Sequence, residues 1–88
     1  MSDRIQVQRQ RTKYVSASDN LNDLIEFGVV YYWGDSRPAN STISGMSMIV
    51  LPNGWGLTQV MFGPFGDVLQ MRTYVDGTWR EIKQVNLA

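Results

Sequence analysis

Through most of the chain, apolar and polar residues alternate at period two, the spacing of strands with alternate residues on opposite faces. The clearest stretch is Val68 to Val85, VLQMRTYVDGTWREIKQV, where two alternating runs meet at Asp76-Gly77. Asp-Gly at that point predicts a two-residue type I′ turn, because both central residues of such a turn need φ > 0. A register follows. Val75 faces Thr78, Tyr74 lies opposite Trp79, Arg72 opposite Glu81, Met71 opposite Ile82 and Gln70 opposite Lys83. Arg72, Tyr74, Asp76, Gly77, Trp79 and Glu81 are then the structural residues of a hairpin. Its aromatic pair and its opposite-charge pair contribute about 0.2–1 kcal/mol each. Both faces carry apolar residues, so alternation leaves open which one is core.

Upstream, Val29-Val30-Tyr31-Tyr32-Trp33 is β-branched and aromatic and reads as a strand closed by Gly34-Asp35. Residues 36–44 form a loop by composition. Met46 to Leu51 is a second strand, with Met46, Met48 and Val50 on one face and Ile49 and Leu51 on the other. A strand apolar on both sides belongs in the middle of a sheet. Pro52-Asn53-Gly54 supplies a turn, Leu57 to Phe62 a third strand, and Gly63 to Asp67 a further turn before the hairpin. Asp19-Asn20 can cap a short helix over Leu21 to Phe27, stopped by Gly28. The expected fold is all-β with one short helix: an antiparallel meander or sandwich of about five strands.

Residues 1–18 differ in character and read as an extended N-terminal arm, with residues 19–88 forming a β knob. Ile5-Gln6-Val7-Gln8-Arg9 alternates, and Arg4, Arg9, Arg11 and Lys13 stand against Asp3 alone. The whole chain of 88 residues balances eight basic against eight acidic residues, so the folded remainder is acidic by the same margin. That opposes a polyanion partner, and nucleic acid is not expected. There is no cysteine and no histidine, so disulfides and the usual zinc ligands are absent. A β domain this small, without staples, leans on oligomerisation. No apolar run spans a membrane and no signal-peptide core opens the chain, so a soluble, cytoplasmically made protein is expected.

The order Asn22-Asp23-Leu24, Gly28-Val29-Val30-Tyr31-Tyr32, Met48-Ile49-Val50-Leu51, Thr58-Gln59-Val60-Met61-Phe62-Gly63 and Arg72-Thr73-Tyr74…Gly77-Thr78-Trp79…Lys83 resembles the pyocin-knob type of module. That family occurs in fibres of contractile bacteriocins and in bacteriophage head or tail fibres. The resemblance covers roughly residues 20 to 85. It departs at Ile82, where such modules often carry a second aromatic. The segment around Ile5-Gln6-Val7 is similar to short N-terminal segments by which phage fibres attach to a virion. The resemblance implies a virion structural protein, a homotrimer with capsid or tail proteins as partners. Arg4, Ile5, Val7, Arg9 and Arg11 are the candidate virion-anchoring residues.

The available chemistry fits binding better than catalysis. Without His or Cys no Ser-His-Asp or Cys-His site is possible. Asp67 and Asp76 are accounted for by turns, no Asp-x-Asp spacing suggests calcium, and Gly54-Trp55-Gly56 lacks the lysine and helix of a phosphate loop. No enzyme activity and no cofactor or metal is expected. Trp33 at a strand end and Trp55 between glycines are the candidate receptor or glycan contacts, which makes a host-surface glycan an alternative partner. A small nucleic-acid-binding β domain is a third possibility.

Overall fold

The alternating runs fold into a single sheet. The computed structural model describes residues 11–87. Among them are β1 (Arg11–Tyr14), β2 (Val29–Tyr32), β3 (Ser47–Asn53), β4 (Gly56–Phe62), β5 (Val68–Val75), β6 (Thr78–Trp79) and β7 (Lys83–Asn86). Strand order is β1-β2-β3-β4-β5-β6, with β7 also on β5. From β2 onward every neighbour is antiparallel, as a meander requires, and β3 lies centrally between β2 and β4. The all-β class holds, in one mixed sheet.

The mixture comes from β1, which pairs parallel to β2 with Arg11 opposite Val29 and Tyr14 opposite Tyr32. Val15, directly after it, is fully buried in the core. Residues 11–18 therefore belong to the folded unit, and the boundary expected at residue 18 does not divide arm from knob. Arg11 is held in that strand, its guanidinium 2.8 Å from the Glu26 carboxylate. Arg4, Ile5, Val7 and Arg9 lie outside the described residues.

The two faces of the sheet are treated differently. Val29, Tyr31, Met48, Val50 and Met61 point to one side and are buried. Two loop segments cross them, carrying Leu21, Leu24, Trp33, Met46 and the half-buried Ile43 into the same cluster. The segments are tied together at Asn20 and Ala39, through Leu21 N–H to Ala39 O at 3.0 Å and Ala39 N–H to Asp19 O at 2.9 Å. This inward face is the core, which answers the question the alternation left open. Tyr32, Ile49, Leu51, Val60, Phe62, Leu69, Met71 and Val85 point the other way and are half-buried or exposed. Met71 is accordingly a surface residue and not a core methionine.

The helix expected over Leu21 to Phe27 is a single 3₁₀ turn, Leu21–Asp23. Asn20 caps it, its side chain accepting from Asn22 N–H at 2.9 Å. It goes no further because the carbonyls of Leu21 and Leu24 take a side-chain donor from the sheet, and Leu24 leaves helical geometry at φ −94°, ψ 77°.

At the hairpin the predicted turn is present. Asp76 and Gly77 have φ of 54° and 76°, and Tyr74 pairs with Trp79. The register then changes. Arg80 N–H reaches Thr73 O at 2.9 Å, but Met71 pairs with Lys83, so Glu81 and Ile82 together oppose Arg72. This is a β-bulge: one extra residue divides the second arm into β6 and β7. The pairs expected for Arg72, Met71 and Gln70 are displaced, and Leu69 now faces Val85 and Gln70 faces Gln84. The β3–β4 connection is also tighter than Pro52-Asn53-Gly54 suggested. Pro52 pairs with Leu57 and Asn53 with Gly56, leaving Gly54-Trp55 at the tip.

Candidate functional site

Glutamine and arginine at inward positions of a sheet must find hydrogen-bond partners, because burying them unpaired is costly. Gln59 is in phase with the core residue Met61, and Arg72 faces Gln59 across β4 and β5. Gln59 Nε2 donates to Leu21 O at 2.6 Å and to Leu24 O at 3.0 Å. Its Oε1 accepts from Arg72 Nη1 at 3.4 Å, while Arg72 Nη2 donates to Asn22 Oδ1. The Arg72 guanidinium carbon lies 4.0 Å from the centroid of the Trp79 ring. Trp79 in turn meets Tyr74, with ring centroids 5.0 Å apart.

Arg72 is only 6% exposed, and this burial lowers its pKa from the ordinary arginine value. Among the described residues no carboxylate pairs with it. Glu81, expected opposite, sits on the bulge, largely exposed and 3.8 Å from Lys83 Nζ. Amide oxygens and an indole face replace the expected ion pair. The network fastens the Leu21–Leu24 segment over the sheet: a donor fork on β5, a bridging amide on β4 and a capped turn above them. It contains neither a nucleophile beside a base nor paired carboxylates. Sequence reasoning paired Arg72 with Glu81, left its face open, and gave Gln59 and Asn22 no contact with it. The signal was there, since Gln59 and Arg72 occupy the phase of their strands that elsewhere holds Met61, Met48 and Val50.

The two tryptophans proposed as an aromatic platform are separated in function. Trp33 is 2% exposed, a core residue whose Nε1–H donates to Ile43 O at 2.9 Å. A strand end folded under a loop is not a surface, and Trp33 is withdrawn as a ligand contact. Trp55 is 78% exposed at the β3–β4 tip, where Asn53 Oδ1 accepts its N–H at 2.8 Å. A shallow groove of about 220 Å³, lined by Asn22, Ile25, Leu57, Tyr74 and Trp79, lies beside the hairpin. Another, of about 410 Å³, is lined by Met71, Thr73, Arg80, Glu81 and Lys83.

Among the described residues no three Asp or Glu side chains come together as a metal site, and no helix is long and apolar enough to cross a membrane. Comparison of the chain with family models, curated proteins and solved structures gives no match. The family resemblance therefore rests on the residues quoted for it.

Proposed function

We propose that the chain is a structural protein of a bacteriophage virion, a small fibre or knob-type subunit that acts by assembly and not by catalysis. One observation carries this reading. Three of the five separated pieces of sequence that bear the resemblance meet at Arg72, which touches Asn22, Gln59 and Trp79. Pieces far apart in the chain that meet in one clamp support a module, where scattered coincidences would not meet. In this reading the subunit is a homotrimer bound to capsid or tail proteins, and the attachment arm is confined to residues 1–10.

The test is removal of residues 1–10. The remaining chain keeps its melting temperature, because β1 and Val15 stay in place, but it is lost from purified particles. Truncated protein on particles at the full-length amount would overturn the arm's role. Absence of the full-length chain from particles would overturn the virion reading itself.

The exposed Trp55 favours a second reading, a host-surface glycan contact, since an indole presented to solvent on a tight turn is a stacking platform. Here the single residue Trp55 carries it, without Trp33.

A further inference from the structure

The open face of the sheet offers more apolar surface than a lone subunit explains. Tyr32, Ile49, Leu51, Phe62, Met71 and Val85 lie on it, and five of these six are at least 38% exposed. Scattered exposed apolar residues need no explanation, but a contiguous apolar face marks an interaction surface. The pairings make this face contiguous: Ser47, Phe62, Leu69 and Val85 form one row across β3, β4, β5 and β7, and Ile49, Val60, Met71 and Lys83 form the next.

We propose that this face packs against the same face of a second copy of the chain, sheet on sheet, a twofold contact made in addition to any threefold one. Strands about 4.8 Å apart with residues about 3.4 Å apart give the β2–β7 face roughly 500 Å² in projection. Two copies thus bring together about 1,000 Å², where a specific interface begins. Charge points to the same occupant. The charged residues Arg80, Glu81 and Lys83 gather at the hairpin rim, and the positions that β3, β4 and β5 give to the two rows carry no charge. An apolar centre with a rim of both signs suits a self-complementary contact, and a chain of zero formal net charge sets up no repulsion between copies. It goes beyond the trimer of the proposed function by adding a second contact between copies. It does not depend on where the assembly resides.

The experiment is sedimentation of the purified full-length chain at micromolar concentration, for the wild type, Phe62→Glu, Met71→Lys and Trp55→Ser. Circular dichroism is recorded on each sample. The wild type sediments as a dimer or a higher even-numbered oligomer. Phe62→Glu and Met71→Lys keep the β spectrum but weaken association at least about tenfold, while Trp55→Ser, on the loop tip, changes nothing. Using two open-face variants keeps the test decisive if one fails to fold. A wild-type monomer would overturn the proposal and leave the face to a different protein. So would an oligomer that both folded open-face variants retain. Neither result bears on whether the chain is found on particles, so the two readings fail separately.

Discussion

A guanidinium removed from water needs acceptors for its donors, and Arg72 uses two amide oxygens and an indole face for this. Arg72→Met should leave Gln59 Oε1 and Asn22 Oδ1 without a donor and lower stability by about 2–3 kcal/mol, read by urea unfolding. Arg72→Lys should recover little, because an ammonium cannot span two acceptors as a planar fork does. The turn gives a second prediction. Gly77 holds φ 76°, where a β-branched residue is strained, and Gly77→Val should cost roughly 1–3 kcal/mol; an unchanged melting temperature would contradict it. Gly56 is constrained differently. A Cβ there would stand 1.9 Å from the carbonyl oxygen of Tyr74, so Gly56→Ala must part β4 from β5 and should lower the melting temperature further than Gly77→Val does.

Elements with a strong local signal were legible in the sequence, and those decided by their neighbours were not. Alternation located β2 to β5, and Asp-Gly placed the hairpin turn, since each reflects a preference of the residues themselves. Nothing in Arg80-Glu81-Ile82 announces a bulge. It is settled across the sheet, where the one-residue shift puts Val85 beside Leu69 and lets Gln70 Nε2 donate to Gln84 Oε1 at 2.8 Å. β1 was equally hidden. Arg11 to Tyr14 is exposed throughout, so no apolar alternation marks it, and its position is set by the free edge of β2. The short helix failed for a related reason, because Gln59 competes for its carbonyls from a strand far along the chain. A prediction follows for β1. A chain of residues 11–88 should melt like the full length, whereas residues 19–88 lose a strand and the buried Val15, worth about 1.5–3 kcal/mol for the side chain alone. Equal melting of the two truncated chains would return residues 11–18 to the arm.

At the scale of the whole molecule, one face of the sheet is closed by its own loops and the other is left apolar. Alternation fixed which residues share a face but could not say which face the loops would cover, because both were apolar. Only the inward glutamine and arginine, with their need for partners on the covering segment, distinguish the sides. The closed face accounts for folding, and the open face is the surface proposed for self-association. Trp55, on neither face, separates attachment to a host from assembly: if it is a glycan contact, Trp55→Ala should reduce adsorption to cells while particle occupancy stays the same. The most direct test of the central claim is the copy number of the chain in purified particles, measured by quantitative mass spectrometry for the wild type and Phe62→Glu. The account predicts a fixed multiple number of wild-type copies per particle and a marked loss for a Phe62→Glu chain that still folds. Particles free of the wild-type chain would contradict it.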